Sequence, residues 1–199
     1  IASYRLAVER APGFADAHHY LGNALYDAGR FQEAMDCQRR ALQLTPGLAD
    51  AWLGLANAQT ASGDLGAAVD SHRRAIDADP TRAMPHHDLG TTLYKLGRIE
   101  EAIGCFRRAL TIEPSLPEAW TGLLFCLSHD EKVDAAQLFK EHRAFGERFE
   151  TPLVAGWPVH ANVRDPQRKL RVGFVSADLG AHPVAHFVEP LVAELASDD

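Results

Sequence analysis

The sequence has 199 residues, 46% hydrophobic and 24% charged, a composition that suits a folded globular chain and excludes a disordered or fibrous one. Its formal charge of −7 is spread without a block of like sign, so no nucleic-acid surface or polybasic membrane patch is expected, and no stretch reaches the ~18 consecutive apolar residues of a membrane span. Three cysteines, Cys37, Cys105 and Cys126, are too few and too scattered for a disulfide framework, and without a secretory signal they point to a reducing, cytoplasmic setting.

The chain opens on IASYRLAVERAPGFA, without an initiator methionine and with a pattern already under way, as expected of an excerpt. That pattern has a period of 34: His18, Trp52, His86 and Trp120 share one slot, and Leu21, Leu55, Leu89 and Leu123 another. Small residues recur as Gly22, Ala56 and Gly90, as Ala34, Ala68, Ala102 and Ala136, and as Ala41, Ala75 and Ala109. Pro46, Pro80 and Pro114 close the units, and Pro12 closes a partial one over residues 1–14. Three full units therefore span 15–48, 49–82 and 83–116. Residues 117–150 form a degenerate unit with Leu124 and Arg143 where small residues belong, as suits a capping repeat.

Each slot has a mechanical reason. A bulky residue and a Leu three positions on share one helix face, so the first helix of each unit buries that stripe. The small slots let two helices approach closely. Gly29, Gly63 and Gly97 stop the first helices because Gly tolerates the left-handed cap conformation, and Pro ends the second. The expected unit is helix, tight turn, helix, short turn. The pairs His18–His19 and His86–His87 stand two units apart, and His18 and His86 fill the slot of Trp52 and Trp120, which favours packing over metal binding. Cys37 and Cys105 share a slot with Ser71 and read as small packing residues. Arg39–Arg40, Arg73–Arg74 and Arg107–Arg108, diluted by nearby acids, read as a solvated outer face. The pattern resembles the tetratricopeptide repeat, W-x2-L-G-x2-Y…A-x3-F…P, over residues 1 to about 150. That resemblance implies an all-α superhelix whose concave side binds an extended peptide or a partner protein.

Residues 151–169 lose the helical period and hold Pro152, Pro158 and Pro166, so they read as a linker, with Trp157 as a packing anchor. At 170–176, LRVGFVS is a short apolar run of the kind buried on both faces of a parallel sheet. After the loop SADLGAHP, Val184, Phe187, Val188, Leu191, Val192 and Leu195 return at helical spacing, weakened by Pro190. Pro183 suits the first helical position and places His182 at the cap. Residues 170–199 are thus expected to be the first strand and helix of a truncated α/β domain, with its chemistry in the loop after the strand. Neither G-x-G-x-x-G nor a P-loop nor H-E-x-x-H is present.

Repeats, linker and LRVGFVSADLGAHPVAHF, in that order, resemble the O-linked N-acetylglucosamine transferase family in its SPINDLY-like bacterial form, where repeats lead into a GT-B (Rossmann-like) glycosyltransferase domain. The resemblance implies inverting transfer of N-acetylglucosamine from UDP-N-acetylglucosamine to Ser or Thr hydroxyls of a protein held by the repeats, with no obligatory metal or other cofactor. It places the active-site histidine on His182. A neutral imidazole is favoured at a helix N-terminus, and His182 either accepts the hydroxyl proton or orients the donor. Asp178 is a candidate for holding the loop or a histidine, and His186, one turn on, is a candidate with a structural alternative. The 199-residue chain alone is expected to be inactive, because half of a two-domain cleft cannot enclose a nucleotide sugar. In the animal enzymes an Asn ladder preceding the repeat Leu grips peptide, whereas here Tyr20, Gly54, Asp88 and Gly122 take that place. The alternative reading is a non-catalytic tetratricopeptide scaffold whose whole function is protein binding.

Overall fold

The computed structural model describes residues 1–154 and Gly156. Among them the order is α1 (Ala2–Arg10), α2 (Ala15–Asp27), α3 (Phe31–Leu44), α4 (Ala49–Ser62), α5 (Leu65–Ala78), α6 (Ala83–Lys95), α7 (Ile99–Ile112), α8 (Pro117–His129), α9 (Ala135–Phe149) and α10 (Thr151–Val154), with no strand among the described residues. All fall in one compact unit, Ile1–Trp157. The expected strand at 170–176, the helix after it and the anchor Trp157 lie outside the described residues.

The helical pairs α2/α3, α4/α5 and α6/α7 are the three full units, and each turns on a glycine. Gly29, Gly63 and Gly97 have φ of 72°, 88° and 73°, the left-handed region that an L side chain resists. That geometry returns the next amide onto the helix end: Arg30 N–H donates to Leu25 O, Asp64 N–H to Gln59 O and Arg98 N–H to Leu93 O, each at 2.9 Å. The second helix then starts in one of two ways from the same slot. Asp64 caps α5 by accepting from Ala67 N–H at 3.2 Å. The Arg30 and Arg98 side chains give no cap, and instead fork onto Glu33 and Glu101. These forks are exposed, so solvent screening leaves them little weight in the stability of the fold.

Pro12, Pro46 and Pro114 do more than end a helix. Their carbonyls accept a ring N–H from the first helix of the following unit: His18 Nε2 to Pro12 O at 3.0 Å, Trp52 Nε1 to Pro46 O at 2.9 Å and Trp120 Nε1 to Pro114 O at 2.9 Å. His and Trp exchange in this slot because both carry a ring N–H on a flat apolar body. Trp52 is only half-buried, with the Arg74 guanidinium 5.1 Å from its ring centroid, so the slot is a hinge pin at the repeat edge rather than part of the deep core.

The core is the Leu stripe of the first helices against the small slots of the second. Ala41, Ala56, Ala68, Ala75, Ala102 and Ala109 are fully buried, which leaves no room for a larger side chain. One cluster centres on Leu21, Leu25, Met35 and Leu55, the other on Leu89, Leu93, Ile103, Phe106 and Leu123. The arginines lie on the outer surface as expected: Arg73 reaches Glu101 and Arg107 reaches Glu141 of the neighbouring unit, while Arg39 pairs with Asp36. The capping unit α8/α9 departs where the sequence does. Leu124 is buried, Arg143 is exposed, and α9 buries no residue. The first four residues of the expected linker, Thr151–Val154, are helical, because Pro152 sits in a first turn where its missing N–H has no helical partner to lose.

Candidate peptide-binding groove

The first helices α2, α4, α6 and α8 line a groove holding two cavities of different chemistry. Between α2 and α4 a polar cavity of about 360 Å3 is lined by His19, Asn23, Tyr26, Asp27, Asp50 and Asn57, among others. Between α6 and α8 a cavity of about 470 Å3 is mainly apolar, lined by Thr91, Tyr94, Phe106, Phe125, Cys126 and neighbouring residues. The Tyr94 and Phe125 rings meet edge to face with centroids 5.3 Å apart, and His129 closes on Phe125 at 4.5 Å. Phe125 is 49% exposed, a large apolar side chain turned to solvent on a packed helix.

The second helices carry a slot that the sequence pattern does not single out, Gln38, His72 and Phe106, again spaced by 34, and of these Phe106 lines the apolar cavity. All three are almost fully buried. Gln38 and Phe106 each pack against their own unit's small slot and the residue preceding the next unit's Leu. A Cβ on Gly22 or Gly54 would lie 2.7 or 2.4 Å from Gln38 Nε2, and one on Gly90 or Gly122 would lie 3.0 or 2.5 Å from the Phe106 ring. Glycine stands in the place of the ladder asparagine at 54 and 122 because a neighbouring planar side chain already fills that space. The legible signal was co-occurrence: Gln38 and Phe106 have Gly on both sides, whereas His72 has Ala56 and Asp88.

The three residues behave differently. Gln38 closes a ring of hydrogen bonds. His19 Nδ1–H donates to Gln38 Oε1 at 3.0 Å, Asn23 Nδ2 donates to His19 Nε2 at 3.0 Å, and Gln38 Nε2 donates to Asn23 Oδ1 at 2.8 Å. This ring requires neutral His19 with its proton on Nδ1, and it holds Asn23 at the cavity wall. His72 is buried with Nδ1 unpartnered, and burial lowers its pKa to about 4 against the opposing pull of the Asp88 carboxylate. Phe106 is apolar and meets the His87 ring at 5.6 Å, while His87 Nδ1 lies 3.0 Å from Asp88 Oδ1.

Of the histidine pairs, His18 bonds to Pro12, His19 belongs to the Gln38 ring, and burial lowers the pKa of His86, reinforced by Arg108, while His87 lines the apolar cavity. Burial also raises the thiols of Cys37, Cys105 and Cys126, the last to about 11, which keeps them protonated and unreactive. His182, Asp178 and His186 lie outside the described residues. Among those described, no helix is long and apolar enough to cross a membrane.

Three family models described as tetratricopeptide repeat match residues 15–48, 39–83 and 83–116. The probable UDP-N-acetylglucosamine–peptide N-acetylglucosaminyltransferase SPINDLY of Arabidopsis thaliana is 36% identical over 55 residues, 27% of this chain and 6% of that protein. Among solved structures, a mutant of the Thermobaculum terrenum O-GlcNAc transferase is 29% identical with a TM-score of 0.66, over 92% of this chain and 35% of the other. YrrB, a tetratricopeptide protein with an unusual peptide-binding site, is 22% identical with a TM-score of 0.64, over 76% of this chain and 77% of its own. This chain thus spans only a small part of either transferase. The period, the left-handed glycine turns and the matched segments together identify residues 15–116 as tetratricopeptide repeats.

Proposed function

We propose that the groove along α2, α4, α6 and α8 holds a protein or peptide, and that the chain is the acceptor-binding part of a protein O-glycosyltransferase. The observation that carries the binding role is the open apolar cavity around Phe125, built on rigid packed helices and not covered by any described residue. The transferase reading draws support from the 29% identity with the Thermobaculum enzyme over 92% of this chain. In this reading UDP-N-acetylglucosamine is the donor, no metal is needed, and His182 acts on the acceptor hydroxyl or the donor, with Asp178 and His186 nearby in sequence.

The experiment is transfer of labelled N-acetylglucosamine by a protein carrying this segment with an intact catalytic domain. His182→Ala should fold and lower turnover by ~10²–10⁴, the range for losing a positioned acid–base group. If His182 is the base, turnover at saturating donor should fall as pH drops; if it orients the donor, donor affinity should fall. Full activity in folded His182→Ala removes this residue from the mechanism. The 199-residue chain alone should give no calorimetric heat with UDP-N-acetylglucosamine, and micromolar binding would place the nucleotide site nearer the repeats.

A further inference from the structure

The two cavities share one groove but not one chemistry, and the difference specifies an occupant. The downstream cavity offers Tyr94, Phe106 and Phe125 to an apolar side chain. The upstream cavity offers carboxylates and amides. Asp27, Asp50 and Glu118 line the two cavities, and no Lys or Arg lines either. Asp50 pairs with Arg82 at the start of α6, while Asp27 makes no ion pair with any described residue. An acidic segment would add to the negative charge of Asp27 and Glu118, whereas a cationic one complements Asp27 and shares Asp50 with Arg82.

We propose that the groove selects an extended protein segment carrying one large apolar side chain for the Phe125 cavity and a Lys or Arg for the Asp27–Asp50 cavity. The spacing follows from the fold. The cavities lie two repeats apart, between α2 and α4 and between α6 and α8. Parallel first helices stand about 10 Å apart, so the separation is about 20 Å. An extended chain advances 3.3–3.6 Å per residue, so about six residues separate the cation from the apolar anchor. The polar wall set by the Gln38 ring keeps Asn23 at the upstream cavity, where its free amide capacity faces the passing backbone. This inference deepens the groove reading above and rests on it.

The test uses the 199-residue chain and fluorescent Ser/Gly peptides carrying one Trp and one Arg, about three, six or nine residues apart, in both chain directions, read by anisotropy. The roughly six-residue spacing should bind tightest in one direction, and replacing Arg by Glu should weaken it about tenfold at low salt. Asp27→Asn with Asp50→Asn should remove most of the salt dependence. Phe125→Ala should cost about tenfold or more, the mark of a lost apolar anchor. Thr121→Arg, at an exposed rim position of the same cavity, gives a second test should Phe125→Ala lower the melting temperature. Binding that ignores spacing, or that accepts Glu as well as Arg, overturns this selectivity and leaves the groove reading standing. No binding by any of the peptides overturns both.

Discussion

Gly122→Ala should destabilise the repeats, while Gly104→Ala on the neighbouring helix should stabilise them. The added Cβ at 122 would stand 2.5 and 2.6 Å from Cε1 and Cζ of Phe106, about 1 Å inside the normal carbon contact of ~3.5 Å. A ring is a poor cushion. The same ring atoms also pack close to Gly90, where an added Cβ would lie 3.0 Å away, and Phe106 is almost fully buried, so the ring has little room to retreat. Overpacking of this kind costs about 3 kcal/mol at the upper end, and replacing a mid-helix Gly by Ala recovers about 1 kcal/mol, leaving a net loss near 2 kcal/mol. For a unit of this size that is a fall in Tm of about 4–8 °C. Gly104 lies in α7 with nothing near its Cβ position, so Gly104→Ala keeps only the helical gain of about 1 kcal/mol. Phe106→Leu should relieve part of the Gly122→Ala penalty, giving a measurable coupling in a double-mutant cycle. Thermal and urea melts of the wild type, the three single variants and the double variant read all of this. If Gly122→Ala melts as high as Gly104→Ala, the glycine is not there to admit the ring.

Trp52 pins α4 to Pro46 from a half-buried site, so Trp52→Ala should cost about 2–3 kcal/mol, below the ~3–5 kcal/mol of a fully buried aromatic. Trp52→His, which returns a ring N–H as at His18, should recover about 1 kcal/mol, and a urea melt showing no difference between the two variants would remove the hydrogen bond from the account. His72 has a folded-state pKa of about 4, below the ~6.5 of an unfolded chain, so the folded state binds fewer protons between these values. The stability it supports is complete above about pH 6.5 and is lost as pH falls toward 4, by up to about 3 kcal/mol, with the nearby Asp88 carboxylate moderating the loss. His72→Gln, modelling the slot on Gln38, should flatten this part of the pH–stability curve; an unchanged slope would show that His72 is not the group being protonated.

The period of 34 and its small, Leu, Gly and Pro slots determined the helices, their turns and the outer face, because each is a local demand: a stripe at helical spacing, a left-handed turn at Gly63, a proline that cannot continue a helix. The exchange of His18 and Trp52 was visible as a shared slot, but its meaning was not. A ring N–H reaching Pro12 O or Pro46 O is a contact between successive units, and spacing within one unit carries no trace of it. The same holds for the groove. Gln38, His72 and Phe106 come from second helices and meet first-helix residues of two units, so only the stacking of repeats decides that one forms a hydrogen-bonded ring, one an unpartnered imidazole and one an apolar floor. Phe125 looks like any helical aromatic in sequence; it becomes an exposed cavity wall because Gly122 lets α8 close on Phe106 while its own face stays turned to the groove.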